Sequence, residues 1–308
     1  MTGQATRPGT EALLRRLELT VTRRLDGLLQ GDHAGLRPGP GSEAGEARTY
    51  VAGDDVRRMD WAVTARTGAA HVRLPIADHE LETWVVVDRS PSLDFGTASC
   101  EKRDLALSAV AAVGHLTARA GNRMGAVLVG GAGAVTRLPA RSGRTALQAV
   151  LHTVASTPRT DGGGATDLGP ALRELARTAH RRSLVVVVSD FLGPTTWAPP
   201  MRVLAARHDV LAIEVLDPRE LELPDVGVLA LVDPETGGRL EVSTADRKLR
   251  ARYAEAAASQ RAAVAAGLRA APADHLQLRT DRDWLRDVVR FVQRRRLHRR
   301  PPPSRPGG

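Results

Sequence analysis

Three places in this chain offer oxygen atoms in a pattern that could hold a metal ion. The first follows the apolar run Trp84-Val85-Val86-Val87. Asp88 ends the run, and Ser90 and Ser92 follow at alternate positions. The second is Thr166, just after Gly162-Gly163-Gly164-Ala165. The third is Asp190, which with Ser189 closes the run Leu184-Val185-Val186-Val187-Val188. Short apolar runs bounded by polar residues read as buried parallel strands. In an open α/β sheet, ligands sit beyond the carboxyl ends of such strands. One carboxylate and two neutral oxygens on a tight turn suit a hard cation such as Mg²⁺, and Mn²⁺ or Ca²⁺ uses the same donors. A second carboxylate, from Asp190, balances the divalent charge. Mg²⁺ keeps several waters, so one position can pass to an Asp or Glu from another protein. That chemistry is binding more than hydrolysis, because no general base stands near these residues in sequence. The plainer alternative is that Asp88 starts a turn and the serines cap the next segment.

Other chemistries find no purchase. A phosphatase of the haloacid dehalogenase type wants a second Asp two residues after the first, and that position is Ser90. The chain has neither G-x-x-x-x-G-K-[ST] nor G-x-S-x-G. Gly131-Ala132-Gly133 leads into a strand and reads as a turn. His115, His152 and His180 sit on expected helices without ligand spacing. The single cysteine, Cys100, has no apparent catalytic partner and excludes an intrachain disulfide, which fits a reducing compartment. No apolar run approaches the roughly 20 residues of a membrane span. These features predict a cytoplasmic protein with no membrane span.

The elements that must position these oxygens alternate regularly. Strands are expected over 85–88, 124–129, 184–188, 210–216 and 275–279. Helices are expected over 105–120, 145–154, 168–179, 201–207, 245–266 and 284–295. Residues 134–138 read as an antiparallel edge strand, and 229–233 with 240–242 as a hairpin. Strands alternating with helices give an α/β fold with a doubly wound, mostly parallel sheet. At 308 residues the chain can bury a substantial core, built from Leu, Val and Ala because only 3% of residues are aromatic. If the sheet is parallel, Asp88 and Asp190 emerge at one edge with the Thr166 loop between them in sequence.

Two segments lie outside that pattern. Residues 10–30 carry leucines at helical spacing and pairs of arginines, an amphipathic helix expected to pack on its own domain. Residues 31–45 are Gly- and Pro-rich and read as a loop. In 50–73, Asp54, Asp55, Arg57, Arg58, Asp60, Trp61 and Arg66 are interleaved. They read either as an ion-paired brace with Trp61 packed inside it or as a surface for docking a partner. The net charge of +9 is concentrated at the C-terminus. Of 44 basic residues, seven arginines lie in 290–308, leaving 37 against 35 acids. That tail could touch nucleic acid or an anionic surface. It has no aromatics to stack bases, so a solvated, disordered terminus is the preferred reading.

The motifs together resemble the domain-of-unknown-function 58 family, a von Willebrand factor A-like group. They are Tyr50-Val51-Ala52-Gly53-Asp54-Asp55-Val56-Arg57-Arg58-Met59-Asp60-Trp61 with Ala65-Arg66-Thr67-Gly68, then Asp88-Arg89-Ser90-Pro91-Ser92, Gly164-Ala165-Thr166-Asp167-Leu168 and Ser189-Asp190-Phe191. The likeness runs over about residues 12–295. Leu93 departs from the usual Met, an apolar exchange that should not affect a metal. The resemblance implies a metal-ion-dependent adhesion site at Asp88, Ser90, Ser92, Thr166 and Asp190. It also implies a MoxR-type AAA+ ATPase partner and an adaptor or chaperone-like role in maturing client proteins, not an enzyme. The expected layout is a bracing region over 1–80, a von Willebrand factor A-like domain over 81–289, and the end of the last helix with the basic tail over 290–308. Two rival readings stay open: a metal-assisted hydrolase using Asp88 and Asp190, and a nucleic-acid binder acting through the tail.

Overall fold

The computed structural model describes residues 10–28, 47–51, 54–73, 82–117, 122–158 and 166–299. The 31–45 loop, the glycines before Thr166 and residues 300–308 of the basic tail lie outside them.

The longest apolar runs become the centre of the fold. Strands β3 (Glu82–Arg89) and β6 (Ser183–Ser189) pair in parallel, with Val85 opposite Val186. Every residue of β6 is buried, as a strand covered on both faces requires. With β1 (Ala47–Thr49) and β2 (His71–Arg73) forming a separate small sheet, the main sheet has six strands. Its order is β10 (Asp274–Arg279), β7 (Asp209–Leu216), β6, β3, β4 (Arg123–Gly130), β5 (Val135–Ser142). All neighbours are parallel except β4 and β5. The antiparallel edge strand β5 carries Pro139, and its register shifts between Met124 and Ala126.

The two faces of β3 feed two separate cores. Val85 and Val87 pack with α1 (Thr10–Leu28), α3 (Lys102–Thr117), α4 (Arg144–Ser156) and α8 (Trp284–Arg299). Trp84 and Val86 pack with α5 (Leu168–Thr178), α6 (Ala198–Ala205) and α7 (Arg247–Ala270). The side-chain period of two along a strand produces this split. The chain is therefore a doubly wound, mostly parallel α/β protein. Strand β3 leads to β4 on one side, and β6 returns to its other side. The seam between β3 and β6 is thus the topological switch point, where the crevice for a ligand forms.

Helix α1 braces the sheet as expected: Val21 and Leu25 are buried in its core, and Arg24 pairs with Asp283 at 2.7 Å. Several boundaries moved, two of them at helix starts near the site. Helix α3 begins at Lys102, three residues before the apolar pattern starts. Helix α6 begins at Ala198, because Pro199 and Pro200 fit a first turn that needs no N–H.

The segment 54–67 departs from the expected brace. Asp54 accepts from Val51 N at 2.9 Å and Asp55 from Arg57 N at 3.0 Å. Asp60 caps α2 (Trp61–Thr67), accepting from Ala62 N and Val63 N, both at 3.1 Å. These carboxylates hold turns and a helix start, since a short side-chain oxygen readily reaches the nearest orphan N–H. Trp61 is not packed inside a brace: it is 70% exposed. Arg57 and Arg66 are exposed as well.

Candidate metal centre

Asp88 and Asp190 leave the sheet side by side. Asp88 Oδ1 accepts from Ser90 N at 2.8 Å, folding the chain into the turn that follows. Its Oδ2 accepts from Ser189 Oγ at 2.6 Å, which ties the end of β3 to the end of β6. Ser90 Oγ and Ser92 Oγ lie 2.9 Å apart, and Ser92 Oγ donates to Asp190 Oδ2 at 2.8 Å. Pro91 opens the short 3-10 turn Pro91–Asp94, which presents Ser92 toward the crevice. Four of the five expected residues thus form one hydrogen-bonded chain.

Thr166 is the fifth. It is 5% exposed, and its Oγ1 is buried without a hydrogen-bond partner. Gly193 brings its loop against the Asp190 loop: a Cβ on Gly193 would stand 2.5 Å from Thr166 O. Next to Asp190, Phe191 holds a left-handed backbone with φ 54°, the one non-glycine positive φ among the described residues. That conformation is costly for a bulky residue. The buried Phe191 ring is fixed edge-on against Trp197, with centroids 5.2 Å apart, and Phe191 N donates to Ser189 Oγ at 2.9 Å. Strain of this kind sits where a neighbouring side chain must be aimed.

The two carboxylates differ electrically. Burial first, then the charge of Asp190, pushes the Asp88 carboxyl up to about 6. Burial acts on Asp190 too, but the Lys102 ammonium outweighs it and holds Asp190 below the usual range. Lys102 Nζ lies 2.7 Å from Asp190 Oδ2, contacts Glu220 Oε1, and is fully buried. Arg261 of α7 donates to the Asp190 carbonyl at 2.8 Å and pairs with Glu214 at 2.7 Å. From the far side, Glu235 Oε1 accepts from Ser92 N at 3.3 Å.

The donor set fits a hard divalent cation. It holds two buried carboxylates, one with its pKa raised by burial and by the other's charge, and three hydroxyls, one of them orphaned. Carboxylate and hydroxyl oxygens are hard donors, and among the described residues no group of three or more His, Cys, Asp or Glu could hold a metal. His115 lies on α3 and His152 on α4, whereas His180 falls just beyond the end of α5 rather than on it.

Sequence reasoning missed Lys102, Glu220, Glu235, Arg261 and Glu214. Their partners lie 88, 118, 143, 71 and 47 residues away, and no spacing rule reaches that far. The one local signal was Glu214, a charge inside the apolar run of β7.

A family model described as "Protein of unknown function DUF58" matches residues 46–263. The chain belongs to the DUF58 family. The match takes in Asp88, Thr166 and Asp190 together with the exposed 54–67 segment. Uncharacterized protein Rv1480 of Mycobacterium tuberculosis and Uncharacterized protein Mb1516 of Mycobacterium bovis are each 58% identical to this DUF58 chain over 289 residues. That span covers 94% of this chain and 90% of each relative. Solved structures with similarity include an aerotolerance-related membrane protein from Bacteroides fragilis: TM-score 0.46, 13% identity, 71% of this chain and 100% of that one. BatB from Bacteroides thetaiotaomicron gives 0.43, 14%, 70% and 99%, and the SpRpn10 VWA domain 0.38, 13%, 68% and 94%. In this DUF58 chain, no helix among the described residues is long and apolar enough to cross a membrane.

Proposed function

We propose that this protein is a divalent-metal-dependent binding adaptor that works with a MoxR-type AAA+ ATPase in the cytoplasm on client proteins. The observation that supports the reading is the hydrogen-bonded set of Asp88, Ser90, Ser92 and Asp190 at the switch point, with the orphaned Thr166 Oγ1 on the loop against Gly193. Asp88, Ser90, Ser92, Thr166 and Asp190 would hold Mg²⁺, and the ion would supply a coordination position for a partner's Asp or Glu. The chain's own residues set up that exchange. Asp88 and Ser189 lock the two strand ends together, Phe191 aims Asp190, and Gly193 permits the Thr166 loop to close in. Trp61, Arg57 and Arg66 give a second, exposed surface suited to contact with the ATPase.

Affinity capture with and without chelator tests the reading. One ATPase should be retained with Mg²⁺ and lost with EDTA, and Asp88→Ala, checked for folding by circular dichroism, should behave like EDTA. Capture indifferent to both would sink the metal bridge and leave the 54–67 surface as the docking site. Metal-dependent turnover of generic phosphate or ester substrates that Asp88→Ala abolishes would replace the adaptor with a hydrolase.

A further inference from the structure

The hairpin of β8 (Val228–Val232) and β9 (Arg239–Ser243) forms a sheet of its own, so each strand has one ladder partner and one open edge. Strand β8 reads Val-Leu-Ala-Leu-Val, with no charge and no proline. Among the described residues every other strand at an open edge carries a charge, Arg48 in β1, Glu241 in β9 and Asp274 in β10 among them. Charge is one of the ways an edge refuses a foreign strand. Strand β8 has none.

The hairpin's own ladder fixes which backbone groups β8 leaves over. Thr244 N donates to Gly227 O at 2.7 Å, and Asp233 N donates to Gly238 O at 2.8 Å. Hydrogen-bonded pairs in an antiparallel ladder recur at every second residue. With Leu229 opposite Val242 and Leu231 opposite Leu240, these two leucines bond to β9. Val228, Ala230 and Val232 then turn their N–H and C=O outward, and among the described residues no third strand meets them. All three are exposed, Val228 at 73%. Beside them there is room. Four consecutive residues, Leu229 to Val232, line an open groove of about 920 Å³ that reaches Ser92, with Phe95, Leu192, Leu223 and Tyr253 as apolar lining. That volume suits a bound segment. The groove also has a charge bias. Arg219 and Arg239 line it, exposed and without an ion pair among the described residues. Its two acids are already engaged: Glu220 contacts Lys102, and Asp233 accepts from Glu235 N at 2.9 Å and Thr236 Oγ1 at 2.5 Å.

We propose that β8 takes up a third strand: an extended segment of a partner protein, apolar at alternate residues and acidic at its ends. Its backbone bonds to Val228, Ala230 and Val232, its apolar side chains enter the groove, and its acids meet Arg219 and Arg239. In such strand addition the main chain gives affinity and the alternate side chains give selectivity. The contact needs no metal, so it stands apart from the reading above.

The probe is a fluorescein-labelled peptide of alternating valine and threonine with a glutamate at each end, added to the full chain in EDTA. Anisotropy should show saturable binding, and the same peptide with lysine ends should bind about tenfold or more weakly. Residue-resolved hydrogen exchange should slow at Val228, Ala230 and Val232, while Leu229 and Leu231, already bonded to β9, change little. Ala230→Pro deletes one outward N–H and spares the β9 ladder; it should weaken binding about tenfold or more. Arg219→Glu with Arg239→Glu disturbs no ladder bond and should reverse the preference toward the lysine-ended peptide. No saturable binding of either peptide overturns the proposal, as does binding indifferent to the charge reversal or exchange that slows elsewhere than at the three outward amides. If those amides become protected with rising concentration of the chain alone, the edge belongs to a second copy and the partner strand is refuted.

Discussion

Carboxylates along one edge of the sheet meet opposite fates. Asp217, just past β7, is fully buried and accepts from Thr97 N at 2.8 Å, Thr97 Oγ1 at 2.6 Å, Arg219 N at 2.9 Å and Thr280 Oγ1 at 2.8 Å. Burial alone would raise its pKa, and those donors bring it below the ordinary value. Within β7, Glu214 is equally buried and is matched by Arg261, His275 and Gln277, the last two at 2.8 Å. It too ends below its ordinary value, against the pull of burial. Asp88, near the end of β3 on the same sheet edge, has fewer donors and faces the charge of Asp190, and its pKa rises. The contrast separates a carboxylate that the fold consumes from one that the fold leaves in need. Burial is common to all three, so burial alone does not mark function; too few donors beside a second carboxylate does.

The comparison can be broken most severely at Glu214. Glu214→Gln removes the buried carboxylate that pairs with the partly buried Arg261 and should destabilise the protein by about 3–5 kcal/mol. Chemical denaturation would show it as a lower midpoint at unchanged slope. Asp88→Asn should do the reverse in metal-free buffer. A folded-state pKa of about 6, raised from 3.8, means the folded chain holds this proton more tightly than the unfolded one. The resulting stability is complete below about pH 4 and is lost as pH climbs through about 6. At pH 7 the wild type should therefore lie up to about 3 kcal/mol below Asp88→Asn, with the gap closing near pH 4. Saturating Mg²⁺ should raise the wild-type midpoint and leave Asp88→Asn unmoved. A wild type that gains stability between pH 4 and 7 relative to the variant would refute the contrast. Gly193→Ala forces a methyl against Thr166 O and should cost about 1–3 kcal/mol, with Mn²⁺ uptake weakened alongside. Trp61→Ala, on the exposed helix α2, should shift stability by no more than about 0.5 kcal/mol. Its effect belongs to partner capture alone.

Much of this was legible in residue order. The valine run of β6 and the Trp84–Val87 run could only be central strands, and their terminal aspartates then had to share an edge. Thr166 was legible because a hydroxyl following a glycine run points to a close backbone approach. Lys102 was not, because a lysine at a helix start normally faces water, and only the folded chain sets Asp190 and Glu220 around it. Glu235 was hidden for the same reason, its contact with Ser92 being made by a hairpin tip that reads as an ordinary exposed turn. Trp61 was misjudged by size: a large apolar ring suggests burial, but a two-turn helix beside a three-residue strand pair has no interior to offer it.

The outer strand β5 bears on how copies of this chain can meet. An unpaired strand edge is a template onto which another chain's strand can add. Here the edge is interrupted. Pro139 has no N–H to give a neighbour, and the ladder slips one position opposite it, between Met124 and Ala126. Arg137 and Arg141 add like charges that two identical edges would have to bring together. Growth of the sheet from molecule to molecule is therefore blocked on this side, so copies of this chain crowded together keep their main sheets apart.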